Sequence, residues 1–219
     1  MSKQTHQTSL CFWIYIAFLL AAAFGCKLSS LPGQKVNFFE GTNAQHAAAK
    51  IKQKIGVDAV KVSSMEIHED KLEMVIQAPN NAKNFDKYTF SRGAVTGPEP
   101  QEALVLGNNE LTADKMRMFD LSEVNLAAMA DVCRQAVGRA QIEQGRVDLI
   151  SIDWESADNT RSKEEKAKRD AEEKKRSLKD RFSKLPDHNS DLVVTWRIWV
   201  KGPRMTKYFW ADKKGNLGE

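Results

Sequence analysis

Two separate stretches of the chain combine apolar residues at helical spacing with strand-like alternation that follows. In the first stretch, helical spacing runs from Ala44 to Ile55 and ends at Gly56, a residue typical of helix ends. Three strand-like runs follow, at residues 59–67, 71–77 and 87–91. The pattern therefore predicts one helix followed by three strands.

The second stretch has the same order of elements. Asp120 and Glu123 have the spacing of a capping box. Helical spacing then runs from Leu126 to Val137, with Gly138 as the predicted stop. Strict alternation in the later runs indicates an antiparallel sheet with one apolar face, which a helix can cover. The strand-like runs lie at residues 147–154, 192–201 and 207–210.

These stretches predict an α+β fold of tandem α-β-β-β repeats with antiparallel sheets. One unit of three strands and a helix buries little surface, so the two units should pack together or share a sheet. Two unrelated α+β segments are the alternative. Residues 93–109 are rich in Pro, Gly and acidic side chains and predict a loop. The predicted leader, tether, first unit, linker and second unit occupy residues 1–25, 26–35, 36–98, 99–118 and 119–219.

A charged helical insertion at residues 157–186 distinguishes the second unit. Within it, residues 161–184 hold eleven Lys or Arg and six Asp or Glu, which gives this segment a net charge of +5. The net charge of the segment therefore exceeds the net charge of +4 for the whole chain. The composition favours a helix, with acidic and basic residues four positions apart. We expect either a solvated arm or a contact with an anionic surface.

The N-terminus has the pattern of an export signal. Lys3 gives a positive start, and residues 10–25 then run for 16 residues without a charge. A membrane span needs about 20 residues, so this run is short for one. Small residues end the run, as they do at the cleavage site of a signal peptide. A retained N-terminal anchor helix is the alternative.

Residues Ala23-Phe24-Gly25-Cys26 resemble the lipobox of bacterial lipoproteins. The resemblance implies that Cys26 is acylated and holds the chain at a membrane, on the periplasmic side of the bacterial cell envelope. Ala23 and Phe24 depart from the residues usual in that motif, and Ala23 with Gly25 also fits cleavage without lipidation. Lys27 stands where Asp retains lipoproteins in the inner membrane, which implies the outer membrane.

The order of helices and strands is also similar to the tandem fold of the beta-lactamase-inhibitor and PepSY group of secreted bacterial domains. The resemblance is architectural and covers residues 36–219. It has no residue motif behind it, so no functional residues carry over.

Motifs for catalysis, metal binding or a cofactor are absent: the sequence has no HExxH, CxxC, GxSxG or phosphate-binding Gly loop. His68 falls in a predicted surface turn. Cys133 falls on the apolar side of a helix, where it packs as a small hydrophobe, and a Cys26–Cys133 disulfide is the alternative. Asp153 and Glu155 share one strand face. We predict a non-enzymatic protein without cofactor or metal; a secreted enzyme of unrecognised type is the alternative.

The tryptophans of the second unit are predicted to lie on two different faces of their strands. Trp154, Trp196 and Trp210 share parity with apolar neighbours, Trp210 with Tyr208, and are expected in the core. Trp199 falls on the other face of its strand.

This opposite face carries the candidate binding residues. Trp199 shares it with Arg197 and Lys201, and Phe209 is predicted to join them. An aromatic residue beside Arg is typical of a protein-binding surface. Packing of the face inside the protein's own core is the alternative.

Together these features predict a lipid-anchored bacterial envelope protein that binds a protein or an envelope polymer, or scaffolds an assembly. The expected partners are the membrane, through Cys26, and an unknown envelope protein or anionic polymer. Nucleic acid is excluded, because the charged segment offers one aromatic residue, Phe182, for base stacking and the leader directs the chain outside the cytoplasm.

Overall fold

A computed structural model describes residues 36–102, 104–106, 109–159, 165, 167, 168, 171 and 192–218. The predicted leader and tether, with Cys26, lie outside these residues. Most of the predicted charged insertion also lies outside them. Its described residues are the 3₁₀ turn Ala157–Asn159 and four helical positions, Glu165, Ala167, Lys168 and Ala171. Within the described part of the chain, no helix has the length and apolar character needed to span a membrane.

Two α-helices lie where apolar residues recur at helical spacing. Helix α1 spans Asn43–Ile55 and ends at Gly56, whose left-handed φ of 76° confirms the predicted stop. Helix α2 spans Met129–Ala140, and Gln141 ends it with a φ of 50°. The predicted stop at Gly138 is wrong. Glycine inside a helix costs only about 1 kcal/mol, and the Lys207 ammonium stabilises the longer helix by donating to the Ala140 carbonyl at 2.7 Å.

The predicted capping box forms, but it does not begin an α-helix. It closes a 3₁₀ turn at Leu121–Glu123, upstream of α2. The Asp120 carboxylate accepts from the backbone N–H of Ser122 at 2.9 Å and from its hydroxyl at 2.6 Å. These bonds stabilise the ionised form and lower the pKa of Asp120 below its usual value.

The described residues have an α+β fold. In chain order, their strands are β1 Lys61–Ile67, β2 Lys71–Gln77, β3 Phe85–Ser91, β4 Ala94–Gln101, β5 Leu104–Leu106, β6 Asn109–Leu111, β7 Phe119–Asp120, β8 Arg146–Ser156, β9 Leu192–Lys201 and β10 Thr206–Asp212. Eight of these strands form one antiparallel sheet, and helices α1 and α2 pack on it. The sheet order is β10-β9-β8-β1-β2-β3-β4, and β7 pairs with β1 beside this path. Strands β5 and β6 pair with each other in a separate sheet.

A short pairing between β1 and β8 joins the two stretches into this sheet. Its residue pairs are Met65 with Ile152, Glu66 with Ser151, and Ile67 with Ile150. Opposite residues of an antiparallel pair point to the same face, so the buried side chains of both halves lie on one side. Both helices cover that side, and their buried residues belong to one core cluster.

The loop predicted at 93–109 is wrong, because its first half is the edge strand β4. Pro98 and Pro100 lack a backbone N–H, and an edge strand tolerates them because one side of its ladder is unpaired. Gly97 is required here: it has a φ of 107°, and a Cβ would lie 2.6 Å from the Lys87 carbonyl oxygen. Residues 99–101 of the predicted linker therefore belong to the sheet.

Candidate binding surface

Strand β9 separates an apolar face from an aromatic and polar one. Trp196 and Ile198 are fully buried beneath the helices, which confirms the core position predicted for Trp196. Arg197, Trp199 and Lys201 alternate with them and point to the opposite face of the sheet, as predicted. This opposite face is hereafter called the outer face.

Strand β10 has the opposite parity to the predicted one. Phe209 pairs with Ile198 and packs against the core, whereas Trp210 pairs with Arg197 on the outer face. Tyr208 pairs with Trp199 on the outer face as well. The predictions that Phe209 joins Trp199 on the outer face and that Trp210 lies in the core are therefore wrong.

Three consecutive aromatic residues explain this error. Tyr208, Phe209 and Trp210 are all large and apolar, so hydrophobicity along β10 does not define a parity. The turn defines it instead: the Gly202 N–H donates to the Met205 carbonyl at 2.9 Å, which sets the register of the hairpin. When residues are paired outward from this turn, each of the three aromatic side chains is assigned to the correct face of the sheet.

Five outer side chains of β9 and β10 make up what is hereafter called the hairpin face: Arg197, Trp199, Lys201, Tyr208 and Trp210. The rings of Trp199 and Tyr208 meet edge to face, with centroids 5.8 Å apart and planes at 74°. The Arg197 guanidinium carbon lies 4.9 Å from the Trp199 ring centre, within the range of a cation–π contact. These contacts hold the aromatic side chains in place before any partner binds.

The cations of the hairpin face are already paired with acidic residues of β8. Arg197 contacts Glu155 at 3.0 Å and Asp153 at 3.7 Å, so these two carboxylates do share a strand face as predicted. Lys201 lies 4.0 Å from Asp148. Three carboxylates thus offset the two cations of the face, and its distinguishing property is aromatic surface.

Two exposed apolar side chains lie at the turn end of the same hairpin. In the described part of the chain, the large hydrophobic residues with exposed side chains are Val193 at 36 %, Tyr208 at 50 % and Met205 at 52 %. Met205 lies in the turn between β9 and β10, and Tyr208 lies on the outer face of β10 near this turn. Val193 is also on the outer face, but it lies near the far end of β9, beyond the residues that pair with β10. Neighbouring apolar groups exposed at one place are typical of contact sites.

Cys133 and Trp154, two other residues chosen from the sequence, pack in or against the core. Cys133 is free and buried. Burial raises the pKa of its thiol to about 12, so at neutral pH it is protonated and unsuited to nucleophilic chemistry. Trp154 is only half-buried at the border of the core, with Arg117 at 5.3 Å from its ring centre.

The β1–β2 turn contains a cluster that the sequence patterns did not indicate. His68 lies in this surface turn, as predicted. Its imidazole lies near the carboxylates of Glu66 and Glu73, and one ligand atom from each residue falls within 4.8 Å of the others. Glu66 and His68 are two apart in β1 and the turn, and Glu73 is the partner of Glu66 in β2. The sequence signal for this cluster is the pairing of Glu66 with Glu73, which can be recognised once the register of the hairpin is known.

Comparisons with protein-family models, curated proteins and solved structures return no match to this chain. No family is therefore assigned.

Replacing Trp196 and Trp199 with Ala separates the core from the hairpin face. Trp196→Ala should lower the free energy of unfolding by about 3–5 kcal/mol, as expected for a fully buried aromatic. Trp199→Ala should lower it by only about 1–2 kcal/mol, since it loses one ring pair and one cation–π contact. Urea unfolding followed by far-UV circular dichroism measures both. Equal losses would place Trp199 in the core and argue against a binding role.

Proposed function

We propose that this chain is a non-enzymatic, lipid-anchored protein of the bacterial cell envelope that binds a protein partner through the hairpin face. The observation that carries the proposal is the exposed apolar surface at the turn end of the β9–β10 hairpin, where Tyr208 and Met205 are about half exposed. Aromatic residues beside Arg supply most of the binding energy in many protein interfaces. The hairpin face offers that combination on a rigid sheet.

We further propose that the body consists of two tandem α-β-β-β units related to the PepSY-like arrangement. The order α1-β1-β2-β3 recurs as α2-β8-β9-β10, and in both cases the three strands run outward from the β1–β8 pairing. Both helices cover the same side of the sheet. Strand β4 extends the first unit, and the charged insertion separates β8 from β9 in the second.

The anchor is proposed from the leader and Cys26. Residues 27–35 separate Cys26 from the described body, and an extended chain spans at most about 3.3–3.6 Å per residue. A lipid on Cys26 would therefore keep the body within about 30 Å of the membrane surface. Lys27 supports placement at the outer membrane.

Charge pairing favours a protein over an anionic polymer as the occupant of the hairpin face. A polyanion needs free cations, but Arg197 and Lys201 already contact Glu155, Asp153 and Asp148. Aromatic side chains with neutralised charges suit the apolar centre and polar rim of a protein interface. We expect attraction to an anionic surface from the basic residues of 161–184 instead.

Substituting Cys26 tests the anchor. In bacteria that produce the full chain, the wild-type protein should incorporate labelled fatty acid and fractionate with membranes. Mass spectrometry should show an N-terminal peptide that begins at Cys26 and carries the added mass of the acyl chains. Cys26→Ser should abolish labelling, and Cys133→Ser should leave it unchanged because Cys133 is buried. An unlabelled protein with an intact Met1 would favour a retained anchor helix and contradict lipidation.

Site-specific photo-crosslinking tests the hairpin face. A photoreactive residue in place of Tyr208 should give a discrete adduct in cells. The same residue in place of Arg134, which is 74 % exposed on α2, is the matched control and should give none. Adding Trp199→Ala should reduce the Tyr208 adduct at least about tenfold, the effect of a hot-spot loss of roughly 1.4 kcal/mol or more. Equal adducts from both positions, or a Tyr208 adduct insensitive to Trp199→Ala, would contradict the proposal.

A further inference from the structure

We propose that Glu66, His68 and Glu73 form a binding site for a divalent transition-metal cation, with Zn²⁺ as the representative ion. Glu66 and His68 are two residues apart, so their side chains leave the same face of the β1–β2 hairpin. Glu73 is the direct partner of Glu66 on β2 and therefore points to that face too. The β1–β2 hairpin already holds the three ligand groups close together, so a metal ion would bind without a rearrangement of the backbone.

The separation of these groups suits a small cation after modest side-chain movement. Their ligand atoms lie within 4.8 Å of one another. Zinc binds His nitrogen and carboxylate oxygen at about 2.0–2.2 Å, so ligand atoms in a tetrahedral site lie roughly 3.4 Å apart. The side chains of Glu66, His68 and Glu73 are 53 %, 31 % and 23 % exposed, which leaves their rotamers free to close the remaining distance.

The charge arrangement gives an independent reason to expect a cation. Two carboxylates directly opposite each other on neighbouring strands repel. Lys71 relieves this on one side, with its ammonium 3.2 Å from Glu73. The contact of Glu66 with His68, at 3.9 Å, is an ion pair only when the imidazole is protonated. A divalent cation between the two carboxylates would neutralise both and would use the neutral imidazole as a ligand.

The donor set selects the class of metal. One imidazole nitrogen and two carboxylates suit first-row transition ions, whereas Mg²⁺ and Ca²⁺ prefer oxygen ligands alone. Three protein ligands leave a fourth tetrahedral position for water or for a group from a partner. Glu66 neighbours Ser151 across the sheet, and Ser151 neighbours Arg197, so the site lies on the same outer face as the hairpin face. The site does not depend on the lipid anchor.

Isothermal titration of the full chain with Zn²⁺, purified without a histidine tag, tests the site. Wild type should bind one Zn²⁺ saturably through it. His68→Ala and Glu73→Gln should each weaken this binding at least about tenfold, the lower end of what losing even an outer-shell partner costs. Lys71→Gln should strengthen it, because the competing ammonium beside Glu73 is removed.

Two matched variants control for adventitious binding. His46→Ala removes another exposed histidine, on α1, and Asp70→Asn removes a neighbouring carboxylate of the same turn; both should bind as wild type does. Mg²⁺ in excess should not displace Zn²⁺. Loss of binding in His46→Ala equal to that in His68→Ala, unchanged binding in both His68→Ala and Glu73→Gln, or the absence of saturable binding would overturn the proposal.

Discussion

The pairing of β1 with β8 is the interaction on which the rest of the structure depends. Only three residue pairs form it, yet it aligns Met65 and Ile67 with Ile152 and Ile150 on one face. Each half alone has three or four strands and one helix, which bury too little apolar surface for much stability. Joined at this seam, the two halves share one continuous core beneath both helices.

A sheet covered on one side leaves the other side available for contact, and its residues reflect that. On the outer face, carboxylates and cations contact one another, as Arg197 does Glu155 and Lys87 does Glu99. Two places stand out from this pattern. On the β9–β10 hairpin aromatic and apolar surface is exposed, and in the β1–β2 hairpin two carboxylates and a histidine converge. The first suits a protein partner and the second suits a cation, and neither requires the helices or the core to change.

The sequence predicted those features whose pattern is unambiguous. Strict alternation along β9 gave its bounds and the opposite faces of Trp196 and Trp199, and Gly56 gave the end of α1. The sequence failed where hydrophobicity carries no alternation or where position in the sheet overrides local preference. Tyr208, Phe209 and Trp210 are all large aromatic residues without a clear alternation, so the turn at Gly202–Met205 determines which of them is buried. Pro98 and Pro100 argue against a strand unless the strand is known to be an edge, and Glu73 joins His68 only through hairpin register.

Native-state hydrogen exchange at the seam between β1 and β8 tests the central claim most directly. If the two halves are stable only together, the amides of residues 65–67 and 150–152 that bond across the seam will exchange through global unfolding alone, with the same free energy as the core amides of β2 and β9. Exchange of the seam amides at a much lower free energy, while β2 and β9 stay protected, would show that each half is stable by itself and would contradict this account.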